Sequence, residues 1–146
     1  MHTIEASTKL LQNELAASET YQQALEHFRK DVQISEADDL MPIYTAHQHA
    51  VTQLQAYIVE LAGTPVAHSG AWGAWAKIVV GGANLLGKDA ILRTLQEGES
   101  TGEQNYQEAL ADSECAANLR TLITSQLLPA QQAHIRTLER LLATAA

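Results

Sequence analysis

The stretch Glu14-Leu-Ala-Ala-Ser-Glu-Thr-Tyr21-Gln22-Gln-Ala24-Leu25 returns later in the chain as Glu99-Ser-Thr-Gly-Glu-Gln-Asn-Tyr106-Gln107-Glu-Ala109-Leu110. Glu, Tyr, Gln, Ala and Leu keep the same spacing in both copies. A second pair lies at nearly the same separation: Pro42-x-Tyr44-x-Ala46-His47 and Pro129-x-Gln131-x-Ala133-His134. Internal similarity of this kind decides the architecture before any single residue is interpreted. It describes two related halves, each with one Glu segment and one His segment, and it predicts a pseudo-two-fold arrangement with Glu14, His47, Glu99 and His134 near its axis.

Working outward, each segment lies on a helical stripe. In the first helix, about Thr3 to Arg29, Leu10, Glu14, Ala17, Tyr21, Ala24 and Phe28 alternate in steps of three and four, the pattern of one buried helix face. The second, about Glu36 to Leu61, carries Leu40, Tyr44, His47, Val51, Leu54, Ile58 and Leu61 in the same way. Pro42 predicts a later start or a bend there, because it lacks a backbone N–H. Ala62-Gly63-Thr64-Pro65 is expected to end this helix by glycine chemistry. The third, about Asp89 to Asp112, has Leu92, Leu95, Glu99, Gly102, Tyr106 and Ala109. Gly98 and Gly102 weaken it but let a neighbour approach beside Glu99. The fourth, about Glu114 to Leu142, has Ile123, Leu127, Gln131, His134, Leu138 and Leu141, with a kink expected at Pro129. His49, two positions from His47, is expected to point off the seam, and Glu103 to lie on a solvated face.

Between the second and third helices more than twenty residues intervene, too many for a tight turn. That length suits a crossover along the bundle, with a short apolar helix in Trp72–Val80 lying on its outside. Gly82–Asp89 comes close to a phosphate-binding loop, but no strand precedes it, so nucleotide binding is not expected. The expected fold is all-α: a single domain, residues 1–146, forming a four-helix bundle with a long crossover.

Composition sets the bounds. Hydrophobic residues make up 46% and charged residues 18% of the 146, enough to bury a core. A net charge of −8 argues against nucleic acid as a partner. No apolar run is long enough for a membrane span and no secretory leader is evident, so a membrane is not an expected partner either. The one cysteine, Cys115, forms no internal disulfide and fits a reducing cytoplasm. A homo-oligomer and a metal ion are the partners left open.

Four polar groups at one height on four buried seams must satisfy each other or a shared ion, because lone burial costs a few kcal/mol for each group. Two readings follow. One is a single divalent ion (Fe, Zn or Mn) held by Glu14, His47, Glu99 and His134, with Tyr44 or Gln131 assisting. The other is a metal-free network in which Glu accepts from His, with Tyr44 and Gln131 filling the remaining positions.

Leu11-Gln12-Asn13-Glu14-Leu15-Ala16-Ala17 followed by Tyr21 resembles the first helix of bacterioferritin. Gln131-Gln132-Ala133-His134-Ile135 followed by Leu138-Glu139 resembles that family's fourth-helix Glu-x-x-His segment. Ser69-Gly70 through Ala90-Ile91-Leu92 to Glu97-Gly98-Glu99 resembles uncharacterised bacterial ferritin-like four-helix bundles. The resemblance to the ferritin-like superfamily covers nearly the whole chain. It implies metal ligation at Glu14, His47, Glu99 and His134 and a role in stress or iron physiology. A carboxylate-bridged di-iron site, however, uses two single Glu residues and two Glu-x-x-His pairs. Here the Glu positions of the pairs are Tyr44 and Gln131. Two carboxylates neutralise one divalent ion and not two, which counts against a di-iron oxidoreductase or ferroxidase. The expectation is a ferritin-like bundle of unassigned activity with a residual single-metal site. The alternative is a structural or interaction protein with a hydrogen-bonded Glu/His core.

Overall fold

The computed structural model describes residues 2–30, 34–69 and 87–144. Its architecture is all-α, with no strand among the described residues. Helix α1 spans His2–Lys30, α2 Ile34–Glu60 and α3 Lys88–Ala111. The fourth helical run is built of three pieces: α4, Ala117–Leu122; a π-helical turn, Ile123–Leu127; and α5, Leu128–Thr144. Trp72, Trp75 and the apolar segment around them lie outside the described residues. Among the described residues no helix is long and apolar enough to cross a membrane.

The stripes read from the sequence are the buried faces. Leu10, Glu14, Ala17, Tyr21, Ala24 and Phe28 of α1 are all buried, as are Leu40, His47, Leu54 and Ile58 of α2. Each of the four long helices lies against two others: α1 against α2 and α3, and α5 against α3 and α2. Helix directions follow from specific contacts. Tyr21 reaches Glu99 while Glu14 meets Tyr106, so α1 and α3 run antiparallel. Lys88, at the start of α3, pairs with Glu36 near the start of α2 at 2.6 Å, so these two helices begin at the same end.

Two apolar clusters fill the interior. One, toward the α2 start, includes Phe28, Leu40, Ile43, Leu92, Leu95 and Leu138. The other, toward the α2 end, includes Leu10, Leu11, Leu54, Ile58, Ile123 and Leu127. Between them along each stripe come the buried polar residues Glu14, His47, Glu99, Gln131 and His134. The burial pattern is therefore oil, polar layer, oil.

Local chemistry departs from the sequence expectations in three places. Helix α2 begins before Pro42 and runs through it. Pro42 and Asp38, whose carbonyl loses its helical donor, are both exposed, so water can satisfy that carbonyl. The kink expected at Pro129 takes the form of the π turn just before it, where the Leu128 N–H donates to the Ile123 carbonyl. The fourth run starts at Ala117 rather than Glu114. Residues 112–116 form a turn in which the Glu114 N–H donates to Asp112 Oδ1, and Arg120 caps the Leu110 and Asp112 carbonyls.

The end of α2 carries a left-handed residue, but it is Ala62, at φ 62°, not Gly63. The Gly63 N–H donates to the Ile58 carbonyl and the Ala62 N–H to the Val59 carbonyl, the paired bonds of a Schellman cap. Gly63 serves a different need. A Cβ there would meet the Ile58 methyl at 3.0 Å and Ile4 at 3.4 Å. Ala62→Gly should therefore stabilise the protein by about 1 kcal/mol, by relieving the left-handed Cβ clash. An unchanged or lowered urea midpoint would contradict this.

Candidate metal centre

Four helices deliver the polar layer, and its hub is His47. The ring is buried, and both of its nitrogens face carboxylates: Nδ1 lies 2.5 Å from Glu14 Oε2 and Nε2 lies 2.7 Å from Glu99 Oε2. A neutral imidazole has one N–H and can donate from only one nitrogen. With both nitrogens on carboxylate oxygens, the ring is an imidazolium. Burial alone disfavours that charge, but the Glu99 and Glu14 carboxylates outweigh it and raise the His47 pKa to about 10. Burial likewise opposes ionisation of Glu99, yet His47 and His134 hold its pKa down at about 2.

Glu99 is saturated. Its Oε2 also accepts from the Tyr21 hydroxyl at 2.6 Å, and its Oε1 from Gln131 Nε2 at 2.6 Å. His134 Nδ1 lies 3.3 Å from the same Oε1. Gln131 makes a second bond, to the Glu99 backbone carbonyl at 2.9 Å. Glu14 Oε1 accepts from the Tyr106 hydroxyl at 2.5 Å. Burial and these carboxylates push both tyrosines well above the usual phenol range, so they act as neutral donors. The two repeats exchange partners: the tyrosine of each half serves the glutamate of the other. The His47 and His134 rings lie 4.8 Å apart, and Tyr21 stacks on His47 at 5.3 Å.

The structure thus brings together Glu14, His47, Glu99, His134 and Gln131. Tyr44 is placed differently: it is half-buried, and its hydroxyl accepts from Gln48 Nε2 on the exposed side of α2. The tyrosines in the layer are Tyr21 and Tyr106. The sequence reading put them on the buried stripes but gave them no role, and the repeated Glu-x6-Tyr spacing was the signal. His49 is exposed, as expected of a position off the seam, although it also lines the small cavity beside His47.

Ligand atoms of His47, Glu99 and His134 lie within 4.8 Å of one another, so this buried trio could hold a metal ion. Two imidazoles and one carboxylate suit Zn²⁺ or a non-haem Fe²⁺. Glu14, on the other nitrogen of His47, takes the position of a carboxylate that orients a ligating imidazole.

Gly102 makes the layer fit. A Cβ on it would meet Gln131 Nε2 at 2.5 Å and Asn13 Nδ2 at 3.1 Å. Gly102→Ala should push Gln131 off Glu99. The lost buried hydrogen bonds cost about 1–3 kcal/mol, which outweighs the roughly 1 kcal/mol gained in helix propensity. A rise in the urea midpoint would show that Gln131 yields freely.

An all-α protein with a buried His/Glu/His cluster at mid-height of its helices is the class that fold and site define. The chain belongs to the family described as Domain of unknown function (DUF2383), whose profile matches residues 2–112. No curated protein matches the chain.

Proposed function

We propose that this chain is a ferritin-like four-helix bundle that binds one divalent metal ion in its core. The ligands are His47, Glu99 and His134, and Glu14 holds the His47 ring in place. The observation that carries this reading is the convergence of those three ligating side chains, from three helices, within 4.8 Å. The crossover between α2 and α3 is supported by the helix directions. Gly63 lies beside Ile4, Ser69 bonds Glu19, and Lys88 pairs with Glu36, so the chain passes from one end of the bundle to the other between α2 and α3.

One ion is the number the charges favour. Glu14 and Glu99 supply two negative charges, which neutralise one divalent cation. Neither Gln131 nor Tyr44 supplies a bridging carboxylate for a second. The proposed role is single-metal chemistry or storage in stress or iron physiology, not di-iron oxidation.

A second reading keeps the layer metal-free, as the core of a structural or interaction protein. It is favoured by the way Tyr21, Tyr106, Gln131 and His47 already satisfy both carboxylates. Metal analysis of protein purified without a histidine tag separates the two. About one Fe, Zn or Mn per chain, lost in His134→Ala, supports the metal centre. A metal-free protein that takes up none on incubation with these ions supports the hydrogen-bonded core. Rapid absorbance growth on adding two Fe²⁺ per chain in air would overturn the single-ion reading.

A further inference from the structure

We infer that Gln53 and Gln126 form the gate through which a divalent cation reaches the polar layer. This rests on the metal-binding reading above. A cavity of about 110 Å³ has Glu14, His47, Gln131 and His134 among its walls, and it also touches His49, Gln53 and Gln126. It lies in the seam between α2 and the fourth helical run. Of the four neighbouring pairs of long helices, α2 and α5 make the least contact, and alanines line their approach: Ala46, Ala50 and Ala130.

Two other directions are blocked among the described residues. Tyr21 and Tyr106 are buried and hydrogen-bonded on the α1–α3 side. The two apolar clusters close the bundle along its axis. A hydrated divalent cation crosses hydrocarbon only at prohibitive cost, so the polar seam is its route.

At the surface of that seam Gln53 Nε2 donates to Gln126 Oε1, joining α2 to the π turn. This bond is exposed, so it competes with water and opens at little cost. The π turn contributes directly, since Gln126 belongs to it and faces α2. A larger cavity, of about 440 Å³, lies on the other side of His134, beside Asp38 and Asp39. It touches His134 alone of the polar layer, whereas the smaller cavity reaches Glu14, His47, Gln131 and His134 together, which favours the smaller one as the mouth.

The test is stopped-flow uptake of Co²⁺, followed by its visible absorption, on the full chain after treatment with a chelator. Gln126→Ala and Gln53→Ala should each speed uptake and chelator-driven release about two- to fivefold while binding the same number of ions. Asp38→Asn and Asp39→Asn should leave both rates near wild type. Circular dichroism confirms that each variant is folded. Uptake rates indifferent to Gln53 and Gln126, or slowed by the aspartate substitutions, overturn the gate and leave the metal centre standing. Failure of the wild-type protein to bind Co²⁺ overturns the metal reading and the gate with it.

Discussion

His47→Ala should cost about 3–5 kcal/mol of stability, the penalty for leaving a buried charge without its partner. The reason is visible in the contacts: this one ring bridges Glu14 and Glu99, both essentially buried, and offsets one of their two charges. Without it two carboxylates face each other across an apolar interior, and one must take up a proton or draw in water. For a domain of this size the loss corresponds to a fall in melting temperature of roughly 10 °C or more. His134→Ala should cost less in the metal-free protein, because His134 makes a single, longer contact at 3.3 Å. Tyr44→Phe should stay within about 0.5 kcal/mol, as an exposed hydrogen bond predicts. Thermal melts of the three variants in chelator check the ranking. A His47→Ala protein as stable as Tyr44→Phe would mean that the polar layer does not hold the bundle together.

The second large effect is on pH. The folded His47 pKa is raised from 6.5 to about 10, so the stability it contributes is complete below about 6.5 and is lost as pH rises through about 10. The folded Glu99 pKa is lowered from 4.5 to about 2, so its contribution is complete above about 4.5 and is lost as pH falls through about 2. Both act on one coupled pair, and their shared contribution, several kcal/mol, should make stability greatest between about pH 4.5 and 6.5. Urea midpoints from pH 3 to pH 10 should rise, plateau and fall. In His47→Ala the decline on the alkaline side should flatten. An alkaline decline of wild-type size in that variant would assign the titration elsewhere.

What was legible of the fold and site in the sequence is what periodicity carries. Glu14, His47, Glu99 and His134 stand on stripes of apolar residues, and a helix that buries its stripe must bury them too. Gln131 followed from its place three residues before His134. Tyr44, three residues before His47, did not behave alike: it lies at the margin of its stripe, and its long ring reaches Gln48 at the helix surface. Spacing cannot separate a residue at the centre of a buried face from one at its edge. The exchange of tyrosines between the halves was hidden for another reason. It depends on α1 and α3 running antiparallel, which no local pattern encodes. The π turn was hidden because Pro129 demands some local relief without saying which kind.

The metal reading has one direct consequence. With Glu14 on Nδ1 and Glu99 on Nε2, His47 can bind a cation through Nε2 only by giving up the proton there, keeping Nδ1–H on Glu14. Calorimetric titration with Zn²⁺ near pH 7, in buffers of different ionisation enthalpy, measures ions bound and protons released together. One ion per chain with about one proton released is expected, both abolished in His134→Ala. Binding of two ions, binding with no proton released, or no binding at all would contradict it.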